Sequence, residues 1–120
     1  MRAKHRPHAQ VYFINLKNGN TVSSPLLVQF GLSGMGIAPA GVEKAKTGHH
    51  HLLIDAKIEG EALEYAIPSD ASHMHFGGGQ KEALIKLTPG KHTLQIVLGD
   101  WSHVPHNPPV MSERITVHVQ

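Results

Sequence analysis

Histidine supplies 11 of the 120 residues, and its placement is what invites a chemical reading. Three groups stand apart: His49-His50-His51, His73-Met74-His75, and His103 with His106. In an extended strand, residues two apart point to the same side. His49 and His51 can therefore direct both imidazoles at one ion, and His73 and His75 repeat the spacing. Imidazole is a borderline base that suits Cu(II), Zn(II) and Ni(II), and two or three convergent rings make a metal site. The candidate ligands are His49, His51, His73, His75, His103 and His106, not all needed at once, with copper ahead of zinc. Met35, Met74 and Met111 could add thioether sulfur, which favours copper, although Met74 points away from its flanking histidines in an extended segment. Protons compete for the same nitrogens, so affinity is expected to fall below about pH 6.5. The opposing reading is a structural hydrogen-bond network, or compositional bias in the histidine run. His5, His8 and His118 are read that way, and His92 as a structural residue at a strand start.

Such a site needs elements to hold it. A chain of 120 residues and 13.0 kDa, 40% hydrophobic, is read as one domain with one core. Residues 1–10 are polar and interrupted by Pro7, and form a flexible lead-in to a single domain over 11–120. Short apolar or alternating runs follow at 11–14, 25–33, 49–55, 83–87, 92–98 and 115–119, with a weaker one near Leu63-Tyr65-Ile67. Asn18-Gly19 and Pro89-Gly90 mark turns, and Gly34 to Gly48 reads as a long loop. Within 49–55 the alternation puts His50, Leu52 and Ile54 inward and His49, His51, Leu53 and Asp55 on the opposite side. In 92–98 it puts Thr93, Gln95 and Val97 outward. No helical period of useful length appears. About seven short strands indicate an all-β, immunoglobulin-like antiparallel sandwich. In such a fold alternate connections gather at one end, which would bring all three histidine groups to one pole.

Other chemistries fit less well. There is no cysteine, so no disulfide framework, thiolate nucleophile or iron–sulfur centre. Scattered basic residues, a formal charge of +2 and few aromatics argue against nucleic acid. No run of 18 apolar residues exists to span a membrane. Gly77-Gly78-Gly79-Gln80-Lys81 lacks the ending of a phosphate loop and reads as a turn. No Glu stands beside a histidine pair as in a zinc hydrolase motif, and no catalytic constellation stands out. Asp55 and Asp100, each at a strand end, either cap turns or orient an imidazole. The alternative to a metal-binding protein is a non-catalytic envelope module that recognises a protein or glycan through the same loops.

The run Gly48-His49-His50-His51-Leu52-Leu53-Ile54-Asp55, then His75-Phe76-Gly77-Gly78-Gly79-Gln80, Gly90-Lys91-His92-Thr93-Leu94-Gln95, and Gly99-Asp100 with His103, His106 and Pro108-Pro109-Val110, together with Gly34 to Gly41, resembles a family of short exported bacterial domains of unknown function. The similarity spans about Val11 to Val119. It implies a periplasmic or secreted location and carries no settled activity. Met1 to His8 is polar and has no signal-peptide character, so either the protein is cytoplasmic or a signal has been removed. Lys81 departs from the resemblance, where Gln is often followed by Thr-Glu. The expected function is metal storage or transfer, with an envelope protein as a further partner.

Overall fold

The computed structural model describes residues 9–34, 36–37, 41, 47–76, 80–106 and 109–120. Residues 1–8 of the polar lead-in, Met35, most of the loop between Gly34 and Gly48, and the glycine run at 77–79 lie outside the described residues.

The strands are β1 (Gln10–Phe13), β2 (Thr21–Val22), β3 (Leu26–Ser33), β4 (Gly36–Ile37), β5 (Thr47–Ile54), β6 (His73–His75), β7 (Glu82–Ile85), β8 (Gly90–Gly99) and β9 (Ile115–Val119). They form two sheets, as expected of an all-β sandwich. One is three-stranded in the order β1-β3-β7, and the other runs β2-β9-β8-β5-β4 with β6 also paired to β5. Pairing is antiparallel except for the short parallel contacts β2–β9 and β4–β5.

Alternation builds the core. Leu26, Val28 and Phe30 of β3 face Leu52 and Ile54 of β5 and Leu94, Ile96 and Leu98 of β8, and all are buried between the sheets. The inward assignment of His50, Leu52 and Ile54 holds. His50 is 1% exposed and its ring stacks on Phe30, centroids 4.9 Å apart.

Two expectations need correction. The apolar alternation near Leu63, Tyr65 and Ile67 does not make a strand. A 3-10 helix covers Gly60–Glu64, held by N–H groups of Ala62 and Tyr65 on the carbonyls of Glu59 and Ala62. Gly60, at φ 62°, admits the left-handed turn that starts it. Val97, expected to face outward, does so but is fully buried. The connection from 55 to 72 lies over the outer face of the larger sheet, so Ile58 and Ile67 pack on Leu53 and Val97 in a second cluster. Each of these burials stabilises the cover by about 1.5–3 kcal/mol. The outer face at this end of the sheet is therefore an interior, and His49 and His51 lie on it.

Candidate metal centre

Register brings the histidines together. On β5, His49, His51 and Leu53 share the outer face. Antiparallel pairing sets His49 opposite Gly99 and His51 opposite Val97 on β8, while on the other side His51 pairs with His75 and Leu53 with His73 of β6. The turn after β8 then folds His103 back over this row. His49 Nε2 is 3.0 Å and His51 Nε2 3.1 Å from His103 Nδ1. One nitrogen from each of the three rings lies within 4.8 Å of the others.

The turn carrying His103 is built around Asp100. This carboxylate is 1% exposed. Its Oδ1 accepts the backbone N–H of Ser102 at 2.9 Å, the Ser102 hydroxyl at 2.8 Å and the N–H of Val104 at 3.1 Å. The Asp100 N–H donates to the Val104 carbonyl, and the N–H of Ile67 donates to the His103 carbonyl, each at 2.8 Å. These bonds hold His103 at φ 65°. That left-handed conformation costs a non-glycine residue on the order of 1 kcal/mol and persists only where its surroundings fix it.

Gly99 provides the room. An ideal Cβ on it would overlap His51 Cε1 and come within 2.9 Å of His51 Nδ1. Gly48 does the same on the inner face of β5, where a Cβ would stand 2.9 Å from His106 Cε1. Sequence reasoning quoted both glycines in motifs but gave neither this role, because Gly48 ended the predicted loop and Gly99 followed the predicted strand. Inside β5 and β8 they are strand glycines, which mark close approach by another group.

The six expected ligands separate accordingly. His49, His51 and His103 converge. His75 is adjacent but differently employed: its ring stacks on His103 at 4.5 Å and 28°, edges His51 at 4.3 Å, and donates Nε2–H to the Pro68 carbonyl at 2.7 Å. His73, opposite Leu53, donates Nδ1–H to Asp70 Oδ1 at 2.8 Å. His106 is fully buried and meets Gly48 on the face that carries His50, so it lies across the sheet from His49 and His51. Met74 packs on the inner core and Met111 on the outer cluster, and neither belongs to the convergent nitrogen set. Asp55 and His92 form a separate pair. His92 donates Nδ1–H to Asp55 Oδ2 at 2.7 Å and Nε2–H to the Thr88 carbonyl at 2.8 Å, and Asp55 Oδ1 accepts the N–H of Thr93. That is the structural role expected of His92.

Burial sets the charge of the cluster. Desolvation, then the neighbouring His103 and His75, lowers His49 to about 4. Desolvation, then His49, His75 and His103, lowers His51 to about 2. His103 is lowered by desolvation, then by His75, with Asp100 opposing. The rings are neutral at pH 7, as metal coordination requires. Proton competition at His49 and His51 consequently begins well below the pH of 6.5 expected for free imidazoles.

One lone pair from each of the three rings can meet a single cation. Each ring then keeps its proton on its other nitrogen, which for His49 and His51 is Nδ1, buried with no hydrogen-bond partner among the described residues. An ion at 2.0–2.1 Å from each lone-pair nitrogen would separate them by roughly 2.9–3.4 Å for angles between 90° and tetrahedral. The two distances to His103, 3.0 and 3.1 Å, fall in that range, and all three atoms lie within 4.8 Å of one another.

Fold and site together define a sandwich-like, all-β domain with a buried histidine cluster compatible with metal binding. The chain belongs to a family described as a domain of unknown function (DUF4399), whose match covers residues 28–120. No curated protein and no solved structure matches it. Among the described residues no helix is long and apolar enough to cross a membrane.

Proposed function

We propose that this protein binds one transition-metal ion through His49, His51 and His103, and stores it or passes it on in the periplasm or outside the cell. The observation that carries this reading is the convergence of three ring nitrogens, neutral at pH 7, on one point. Copper ranks ahead of zinc because an all-nitrogen donor set follows the general affinity order, in which Cu(II) exceeds Zn(II). The thioether argument for copper finds no support from Met74 or Met111, which pack elsewhere. The location rests on the resemblance to exported domains, and an envelope protein is the partner that such a carrier would supply.

The test is a calorimetric titration of Cu(II) and of Zn(II) into protein prepared without a histidine tag or a metal column. One ion per chain, bound at micromolar affinity or tighter, is expected. Binding should vanish in the His49→Ala/His51→Ala double variant. His103→Ala, on the partly exposed turn, gives the same answer with less risk to the fold. Free metal at 100 times its dissociation constant should add about 2.7 kcal/mol to stability. A module that recognises a protein or glycan instead predicts melting unchanged by metal or chelator, and that outcome would reject metal binding.

A further inference from the structure

Resting on that metal reading, we infer that the chain leaves a fourth coordination position to an exchangeable donor from outside, water or a small anion, and that His75 does not fill it. An imidazole lone pair lies in the plane of its ring, so a ligated ion must lie near that plane. The rings of His75 and His103 are stacked at 28° with centroids 4.5 Å apart. Two such nearly parallel planes do not meet at one ion close to both rings. The Nε2–H of His75 donates to the Pro68 carbonyl at 2.7 Å, which leaves Nδ1 as the lone-pair nitrogen, and no nitrogen of His75 joins the group of atoms within 4.8 Å. His75 thus serves as a positioning residue that holds the His103 ring by its face.

Nothing else among the described residues completes the set. No carboxylate oxygen joins the group of atoms within 4.8 Å. Asp100, the nearest acid along the chain, gives one oxygen to the three donors that shape its turn. His73 is turned to Asp70.

Access and charge select the ligand. His49 and His51 are fully buried, whereas His103 and His75 are partly exposed, so the open approach lies on their side. Three neutral imidazoles add no charge, and the buried Asp100 carboxylate, which acts on His49 and His103 from behind the turn, offsets only part of a divalent ion's charge, which favours an anionic fourth ligand over a neutral one. A site closed by four protein ligands would bury and immobilise the ion. A three-coordinate site keeps it accessible for exchange or reaction.

The experiment is an azide titration of the Cu(II)-loaded full chain, read by electron paramagnetic resonance and by the azide-to-copper charge-transfer absorption. A saturable new absorption and a shifted copper spectrum are expected, with the ion still bound. His75→Phe, which keeps the stacked ring and removes both nitrogens, should load copper and respond to azide as the parent does. His75→Gln provides a second variant without the ring. Two results overturn the inference while metal binding stands: a loaded protein whose spectrum azide does not change, or a loss of one coordinated nitrogen in both His75 variants. A spectrum matching copper and azide without protein, meaning that the ion has been stripped, also overturns it. Failure of the parent chain to bind copper removes this inference and the metal reading together.

Discussion

Acidification of the metal-free protein should unfold it, because its buried histidines accept protons only when exposed. His49 and His50 are held at about 4 and His51 at about 2, against 6.5 for an unperturbed ring, and burial is the first cause in all three. A lowered histidine contributes stability that is complete above 6.5 and is lost as pH falls below it. The loss ends near the folded value. In the window between, each such group gives a slope approaching 1.4 kcal/mol per pH unit. From pH 7 to pH 5 each ring therefore removes about 2 kcal/mol, and the three together about 5–6 kcal/mol. That equals the whole stability of a weakly stable domain. His103 acts in the same direction with less weight because it is partly exposed. His92 offsets only the first part of the loss, above 6.5. Its value is raised by Asp55, so its contribution is complete below 6.5 and fades only as pH rises through its folded value.

Urea unfolding in the presence of a chelator, at half-unit steps from pH 7.5 to 5, measures this directly. His50→Leu is the control, since it removes one of the three contributors from the inner face and leaves the convergent nitrogens alone. The slope between pH 6 and 5 should fall by about a third in that variant. A parent stability that is flat from pH 7 to 5 would refute the reasoning, as would an unchanged slope in His50→Leu.

Two further outcomes follow from how the site is held. Gly99→Ala should cost about 1–3 kcal/mol through overpacking and weaken Cu(II) binding at least tenfold, since its Cβ lands on the His51 ring; adding His51→Ala should return the lost stability, which thermal melts of the three proteins would show. Asp100→Ala strips three donors of their acceptor and should cost about 1–3 kcal/mol, with weaker metal binding because His103 is no longer fixed; Asp100→Asn, which keeps an acceptor oxygen, should lose less, and equal melting of the alanine variant and the parent would rule out this role for the turn.

Much of the fold was legible because alternation in a strand reports burial directly. The runs at 25–33, 49–55 and 92–98 mark β3, β5 and β8 to within a few residues, and their inward sides are the observed core. The short strands β2 and β4 carry too few residues to alternate, and β6, only three residues long, was visible solely as a histidine pair. The outer face of the larger sheet was misjudged for a different reason. Alternation distinguishes two sides of a strand but does not say what covers the second. Ile58 and Ile67 reach Leu53 and Val97 from a connection whose own pattern suggested a strand.

The same limit explains why three of six expected ligands meet. Parity along β5 suffices to put His49 and His51 on one side and His50 on the other. Which residue faces them across the sheet depends on register. His49 pairs with Gly99, and the bridge between Gly99 and Pro105 continues that row into the returning segment. The residue after Pro105 belongs to the opposite side, so His106 falls on the inner face beside Gly48. His103 escapes this parity because it stands in the tight turn, where Asp100 and a left-handed backbone aim it back at the outer row. A histidine two or three residues from another is thus a neighbour in space only when the intervening backbone is known to be strand or turn. Along 103–106 it is first one and then the other.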